Sequence, residues 1–299
     1  METYKYRAFG LGIESELEIE FLEQNLSPSK IDLYFKNDND ISLPSEKYYK
    51  HPNFSKITSE KSLFFKKDLG IFEINKNGII KFKDLSILPS TDLARVILGL
   101  PIGYFLHFDN LVFHGSAVCK NNEAYGFIGK SGTGKSSLAL EMLENNFSFL
   151  TEDVMCIKEG KILPSLPFIK VSEFYHKKFA KFLNEKKYVF PTDHLNRYGT
   201  KINNKCFSTK EVKMKNLIIL FENSKAKNLL YKEKNKFKLF QLMLENTFKP
   251  NPLYLDKIHL KRIMDSVMNI INNCEVYIAD FEDSKKRIRN QKINELICK

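Results

Sequence analysis

The run Gly129-Lys130-Ser131-Gly132-Thr133-Gly134-Lys135-Ser136 constrains this chain more than any other segment. It is a complete G-x-x-x-x-G-K-[ST] phosphate-binding loop (P-loop), and Ser137 follows it directly. An apolar segment, 124–128, precedes the loop and an amphipathic segment, 137–144, follows it, which is the strand–loop–helix order that the motif requires. Glycines permit a curled backbone whose N–H groups point inward, and the helix N-terminus adds its dipole. We therefore predict a site for a nucleoside triphosphate.

Side chains in and around the loop predict a phosphoryl-transfer site. We expect Lys135 to reach the β- and γ-phosphates and the Ser136 hydroxyl to ligate Mg²⁺. His114 lies on the preceding strand, and Glu152-Asp153 follows the strand after the loop helix. We expect that strand to run beside the loop strand, which brings both carboxylates near the γ-phosphate. One carboxylate can then hold Mg²⁺, and the other can take the proton of an acceptor hydroxyl.

Composition and missing motifs narrow the remaining classes. The chain has 299 residues and a net charge of +11, but lysine is spread along it and no nucleic-acid-binding motif accompanies the charge. A nucleic-acid-associated ATPase therefore rests on net charge alone. The sequence lacks the N-K-x-D motif of GTP-binding switches after the loop, and it lacks the L-S-G-G-Q motif of ABC-type ATPases. Five scattered cysteines without a C-x-x-C pair predict neither a zinc site nor a disulfide framework.

We also expect a cytoplasmic protein without a membrane partner. No apolar stretch reaches the roughly 18 residues that a membrane span needs. The first residues lack the apolar core of a secretory signal.

Hydrophobic periodicity predicts an α/β domain, residues 91–299, with a β-rich N-terminal lobe, residues 1–90, as part of the same domain. Strands are predicted within 5–35 (including 18–21) and over 62–65, 71–74, 78–82, 111–119, 124–128, 147–150, 154–158, 214–222 and 276–281. Helices are predicted over 90–106, 137–144, 173–183, 237–248, 260–272 and 283–297. Residues 37–60 and 184–210 are predicted to be irregular.

Three segments resemble the catalytic core of the HPr kinase/phosphorylase family, which shares its fold with phosphoenolpyruvate carboxykinases. These segments are Phe113–Val118, Gly126–Ala139 and Phe149–Val154. Looser similarity to HPr-kinase-related proteins extends over nearly the whole chain, through Tyr6–Leu11, Ser15-Glu16, Ser165–Pro167, Phe240–Phe248 and the final strand–helix unit. The resemblance implies a P-loop domain of the phosphoenolpyruvate-carboxykinase type with a mixed sheet.

The resemblance also implies a role for each site residue. The loop residues would bind the phosphates of ATP, with Ser136 at the metal. Glu152 matches the first aspartate of the family's acidic pair, which is the catalytic base for an acceptor serine. Asp153 matches the second aspartate, near the metal, and His114 matches the active-site histidine. The implied activity is that of an ATP-dependent kinase, with ATP and Mg²⁺ as cofactors.

Departures from the family pattern bear on the acceptor. Glu152 replaces an aspartate and extends the carboxylate by one methylene, which changes the acceptor geometry. Residues 184–210 do not match the segments by which HPr kinases recognise HPr, and the family's separate N-terminal domain has no counterpart. We therefore expect a peptide, a protein or a small molecule other than HPr as the acceptor. The alternative is a non-catalytic nucleotide-binding sensor or regulatory module that lost transfer when glutamate replaced aspartate.

Other polar residues are weaker candidates. Arg197, Lys201 and Lys205 could contact phosphate or acceptor, but solvated loop charges are the favoured interpretation. Tyr175-His176 is expected at the surface. The sequence leaves open whether the protein forms a homo-oligomer.

Overall fold

A computed structural model describes the protein over residues 3–22, 30–43, 45, 53–58, 60–66, 69–84, 90–190, 197–222, 227–248 and 256–298. Within these residues the protein is mixed α/β, with three sheets and with helices on both sides of the central one.

The first sheet forms the N-terminal lobe. Its strands are β1 (Tyr4–Ala8), β2 (Leu11–Ser15), β3 (Leu33–Asn37), β4 (Asn53–Ile57), β5 (Lys61–Lys66), β6 (Gly70–Asn75) and β7 (Ile79–Asp84), in the order β1-β2-β3-β7-β6-β5-β4. β3 pairs in parallel with both of its neighbours, and the other pairs are antiparallel. The predicted turn between β6 and β7 is confirmed, with Gly78 at φ 91°.

Two predictions in this lobe are wrong. Residues 18–21 alternate between exposed and buried side chains, but they form no strand. The Ile19 N–H donates to the Tyr6 hydroxyl (2.8 Å) instead of to a neighbouring strand, so alternation here reflects core packing alone. Residues 37–60 are predicted to be irregular, but β4 lies within them and pairs with β5 along its whole length.

The helix predicted over 90–106 is confirmed as α1 (Ser90–Leu106). It packs on β5 and β6 of the first sheet, with Ile97 and Ile102 fully buried. Helix and sheet share one hydrophobic cluster, so burial of α1 joins the N-terminal lobe to the segment that follows.

The remaining elements are β8 (Leu111–Phe113), β9 (Gly115–Lys120), β10 (Glu123–Gly129), α2 (Lys135–Leu143), β11 (Ser148–Thr151), β12 (Met155–Lys158), β13 (Lys161–Ile162), β14 (Phe168–Val171), α3 (Glu173–Lys178), β15 (Leu183–Val189), β16 (Tyr198–Ile202), β17 (Val212–Glu222), β18 (Leu229–Lys232), α4 (Lys236–Glu245), α5 (Lys257–Asn273), β19 (Glu275–Phe281) and α6 (Lys286–Ile297).

The central sheet divides at β17. One branch runs β11-β9-β10-β17-β19-β18, and the other runs β17-β13-β12-β8. β10, β17 and β19 are parallel, so the sheet is mixed. The strand after the loop helix was predicted beside the loop strand, and this is wrong. β9 lies between β11 and β10 because β9 and β10 form a hairpin whose outer edge pairs with β11.

The single strand predicted over 111–119 is broken at His114. β8 pairs with β12, whereas β9 pairs with β10 and β11. At the break, the backbone N–H of His114 leaves both ladders and donates to the Asn246 carbonyl (3.2 Å). One continuous apolar run therefore serves two branches of the sheet.

A third sheet, in the order β14-β16-β15, covers part of 184–210. The prediction of irregular structure there is wrong. Exposed lysines and glutamate occupy most of β15, which is an edge strand with only one neighbour, so its sequence lacks the apolar alternation of a half-buried strand.

Helices pack on both faces of the central sheet. α4 and α5 share a cluster with one face of the sheet, while α2 and α6 share a cluster with the other. None of the helices in the described segments has the length and apolar content of a membrane span.

Two histidines are buried where α5 meets the end of α1. The His107 and His259 rings lie 6.1 Å apart between centroids. Arg262 donates to the carbonyls of His107 and Asn110 (3.0 Å for the latter), which satisfies carbonyl groups beyond the end of α1. A cation therefore lies beside both imidazoles.

This environment disfavours protonated histidine. Burial, followed by the charges of His259 and Arg262, lowers the pKa of His107 to about 3. Burial and Arg262 lower the pKa of His259 to about 4, with Asp256 and Asp109 opposing and Lys76 adding to the shift.

We predict that acid destabilises this junction. Both folded-state pKa values lie below the ordinary 6.5, so the stabilisation is complete above pH 6.5 and is lost as pH falls towards the folded values. Each histidine adds a slope of about 1.4 kcal/mol per pH unit in that interval. Urea unfolding of His107→Leu should therefore depend less steeply on pH below 6.5 than unfolding of the wild type. Equal slopes in the two proteins below pH 6.5 would contradict the assignment.

Candidate functional site

Three glycines shape the P-loop. Gly129, Gly132 and Gly134 have φ values of 154°, 91° and 86°, a region that side chains disfavour. A Cβ at Gly129 would lie 2.5 Å from the carbonyl oxygen of Leu220, so the backbone of β17 passes directly against the loop. Gly134 is the N-cap of α2, and with no side chain it leaves the first N–H groups of the helix uncapped. The loop therefore has the backbone form of an anion nest.

Lys135 lies inside the curve of this loop. Its Nζ donates to the carbonyls of Gly129 (2.8 Å) and Lys130 (2.9 Å), and the residue is 6% exposed. Thr133, also predicted among the binding residues, is buried, and its hydroxyl donates to Lys130 O (2.9 Å). The cation is thus placed at the focus of the loop, while Thr133 stabilises the turn.

α6 supports the loop from behind. Arg289, which is 1% exposed, donates through Nη1 to the Thr133 carbonyl (2.7 Å), and Lys286 donates to the Gly132 carbonyl (3.2 Å). Asn290 donates to Glu141 of α2 (2.8 Å). Sequence reasoning missed these contacts because nothing local distinguishes one basic residue of a basic helix from the next.

A tight kink between β11 and β12, which run in the same direction, presents the two carboxylates. Thr151 donates to the Val154 carbonyl (2.7 Å), and the Val154 N–H donates to the Glu152 carbonyl (2.7 Å). Asp153 takes a left-handed φ of 61°, which aspartate tolerates better than most residues. The kink places Glu152 and Asp153 outside the regular ladders together.

Lys170 of β14 contacts both carboxylates. Its Nζ forms an ion pair with Asp153, and its backbone N–H donates to Glu152 Oε2 (3.1 Å). Burial, and then the charge of Asp153, raises the pKa of Glu152, with Lys170 opposing. Burial alone would also raise the pKa of Asp153, but Lys170, followed by His114, holds it well below its usual range. One carboxyl therefore favours the proton, and the other stays charged.

His114 completes the group at the break between β8 and β9. Its Nδ1 lies 3.2 Å from the carbonyl oxygen of Asp153, and since a carbonyl only accepts, this bond requires the hydrogen on Nδ1. The break between β8 and β9 and the kink between their partners β11 and β12 thus meet at one level of the sheet. The structure brings together His114, Glu152 and Asp153, as predicted, although the strand order differs.

The loop and the carboxylates line one cavity of about 1090 Å³. Every loop residue from Gly129 to Ser137 except Thr133 contributes to its wall. Arg197 also lines it, and its charge helps to lower the pKa of Asp153, whereas Lys201 and Lys205 are not among the lining residues. Arg197 is therefore closer to the site than its interpretation as a solvated charge predicts.

The surface location predicted for Tyr175-His176 is wrong. Tyr175 lines the cavity, and His176 is buried, with Nε2 3.1 Å from the Asn184 carbonyl. Third-sheet strand β15 covers this segment, and sequence reasoning did not foresee that sheet.

The oxygen donors of this site fit a magnesium ion that is coordinated partly by the protein and partly by the phosphates of a nucleotide. No group of three His, Cys, Asp or Glu side chains in the described segments could hold a metal by itself. Ser136 lies beside Glu152, whose Oε1 is buried without a well-formed hydrogen bond to the described residues, and Asp153 is the charged neighbour. Mg²⁺ is commonly held by one or two carboxylates together with substrate phosphates.

Comparisons with known proteins give a likeness to solved structures alone. No protein-family model and no curated protein matches this sequence. A solved structure, the HPr(Ser) kinase/phosphatase from Coxiella burnetii, is similar over 62% of this chain and 96% of that chain, with 11% identity and a TM-score of 0.31. At these values the likeness is a distant structural relationship and assigns no activity.

Two glycines of the loop allow a matched test of its geometry. Gly132→Ala meets only the cost of a positive φ, about 1–2 kcal/mol, because a Cβ there meets no described atom within 4 Å. Gly129→Ala adds the contact with the Leu220 carbonyl, and we expect a further loss of about 1–3 kcal/mol. Urea unfolding of the two variants measures the difference. Equal destabilisation would mean that β17 does not constrain the loop.

Proposed function

We propose that this protein is an ATP-dependent kinase with an HPr-kinase-like P-loop domain of the phosphoenolpyruvate-carboxykinase type. It would transfer the γ-phosphoryl group of ATP to a hydroxyl group, that of a serine in the simplest case. One observation carries the proposal: the P-loop, the carboxylates of Glu152 and Asp153, and His114 line the same cavity. A donor site and a candidate base thus face one common space, as phosphoryl transfer requires.

On the donor side, the loop would bind the phosphates of ATP. Backbone N–H groups of the loop and of the first turn of α2 supply the nest, and Lys135 supplies a charge within it. Arg289 holds the Thr133 carbonyl from behind, which keeps the loop curled. Preorganised positive groups of this kind are effective because they need no rearrangement during the reaction.

Ser136 and Asp153 are the residues that would hold Mg²⁺. Asp153 suits this role because Lys170 keeps its carboxylate charged. When bound, the ion would neutralise charge that develops on the transferred group.

Glu152 is the candidate general base. Its raised pKa follows from burial and favours proton acceptance. The acceptor oxygen would bond to the γ-phosphorus, the bond from that phosphorus to the β,γ-bridging oxygen would break, and ADP would leave. The acceptor proton would move to the carboxylate of Glu152, which later returns it to solvent. His114 orients the site through the Asp153 carbonyl.

Two substitutions test the donor site and the base by transfer of the labelled phosphoryl group from γ-labelled ATP, with Mg²⁺, to free serine, serine peptides and HPr. Lys135→Ala should lose nucleotide turnover, because the loop loses its central cation. Glu152→Gln should keep its ATP dissociation constant within about threefold yet lose about 10²–10⁴-fold in transfer, the usual contribution of a general base. Label transfer and calorimetric ATP titration measure the two effects.

Exposed residues provide the controls. Lys158→Ala on β12 and Glu144→Gln at the end of α2 make the same chemical changes outside the cavity. Both should retain transfer. Equal transfer in Glu152→Gln and wild type would reject the base assignment. Tight ATP binding without labelled product from any acceptor would favour the sensor alternative over the kinase.

The second prediction separates the two carboxylates. Asp153→Asn should raise the Mg²⁺ concentration needed for half-maximal nucleotide binding, because the metal loses a charged ligand. Glu152→Gln should leave that concentration nearly unchanged. Titration of Mg²⁺ at a fixed concentration of a fluorescent ATP analogue gives the half-maximal Mg²⁺ concentration for each variant. The opposite pattern would assign the metal to Glu152, which lies beside Ser136.

A further inference from the structure

The cavity has a second end, away from the P-loop, with an apolar wall. Its wall includes Phe9, Phe21, Val96, Leu166, Phe168 and Phe248. All six belong to the hydrophobic cluster of the N-terminal lobe and are at most 9% exposed. The helix that follows the P-loop belongs to a different cluster. Phosphate groups and apolar groups are therefore received at separate ends.

This apolar end lies close to the carboxylates. Phe168 and Lys170 are two residues apart on β14, so their side chains share a face at a spacing of about 7 Å. Lys170 contacts Glu152 and Asp153, and Phe168 stacks on Phe21 at 4.5 Å between ring centroids. A group seated against Phe168 would thus lie close to the carboxylate pair, within reach of the residues beside an acceptor hydroxyl.

Backbone contacts hold this wall in place. The Phe9 N–H donates to the Ser165 carbonyl (3.4 Å), and the Ser165 N–H donates to the Leu150 carbonyl (3.0 Å) of β11. The N-terminal lobe is therefore attached to the segment that carries the carboxylates.

Charges at this end do not select an acidic or a basic acceptor. Arg95 is already paired with the fully buried Asp92 (2.9 Å) and lies over the Phe190 ring. Lys66 and Glu245, which are exposed and line the cavity, carry opposite charges. Apolar contact is therefore the interaction by which this end of the cavity would distinguish one acceptor from another.

We infer that the acceptor carries an apolar group beside its hydroxyl, as in a serine flanked by large aliphatic residues. This inference rests on the proposed kinase function and names its acceptor class. Burying one leucine-sized side chain is worth more than a tenfold change in affinity. Phe9 and Phe21 of the N-terminal lobe would then form part of the acceptor-binding wall of the active site.

A glycine of α1 offers a direct test. Gly99 lines the cavity, and a Cβ there meets no described atom within 4 Å, so a side chain can start from this position without a clash at its first atom. Gly99→Phe should fill the apolar end, and Gly99→Ala should fill it only slightly. Asn269→Phe adds the same ring to the exposed side of α5, outside the cavity.

The experiment compares two serine peptides of equal length and charge, one with leucine and one with asparagine on both sides of the serine. Wild type should label the leucine peptide with kcat/KM at least about tenfold higher. Gly99→Phe should lose that preference and keep its ATP dissociation constant, Gly99→Ala should lose less, and Asn269→Phe should match wild type.

The failures are distinguishable. Equal labelling of the two peptides by wild type would overturn the inference and leave the kinase standing. Loss of ATP binding in Gly99→Phe would overturn the separation of the two ends. ATP binding with no label in either peptide or in the wider hydroxyl panel would reject the kinase itself, and the inference with it.

Discussion

The adjacent carboxylates of Glu152 and Asp153 repel each other when both are charged, and in this protein Lys170 lies against them. Its side chain pairs with Asp153 while its backbone N–H donates to Glu152, so a single residue sets the positions of both. Lys170 belongs to the third sheet, which shares a hydrophobic cluster with the central one. The same strand carries Phe168, and the neighbouring strand β16 begins directly after Arg197. The positions of Glu152, Asp153 and Phe168 thus depend on one strand, β14.

The second constraint is the division of the central sheet. A strand that ran unbroken through His114 would carry that imidazole in a regular ladder and leave Asp153 without its contact. The break lets β8 and β9 follow different branches, and the kink between β11 and β12 does the same for the strands that pair with them. Backbone that leaves a regular sheet ladder is costly unless other hydrogen bonds satisfy its N–H and C=O groups. Here Thr151, Val154 and Asn246 supply them.

The features that could be predicted from sequence are those coded locally. The P-loop is recognisable because its glycines and lysine are contiguous, and α1 because its apolar residues repeat at helical spacing over 17 residues. Lys170 and Arg289 were beyond prediction, since their partners lie far away in sequence and many other lysines and arginines have the same local surroundings. The contact of the Thr133 hydroxyl with the Lys130 carbonyl was also beyond prediction, because a motif fixes residue type but does not show which way each side chain points.

The contact between Arg289 and Thr133 joins residues 156 positions apart. A nascent chain exposes its P-loop long before α6 has been synthesised, so the loop cannot obtain its rear support until the helix arrives. Such a long-range contact closes late because its loop-closure entropy must be offset by other packing first. The final shape of the loop is thereby linked to completion of the fold, and a partly made chain would lack this rear support while its strands and other helices were already formed.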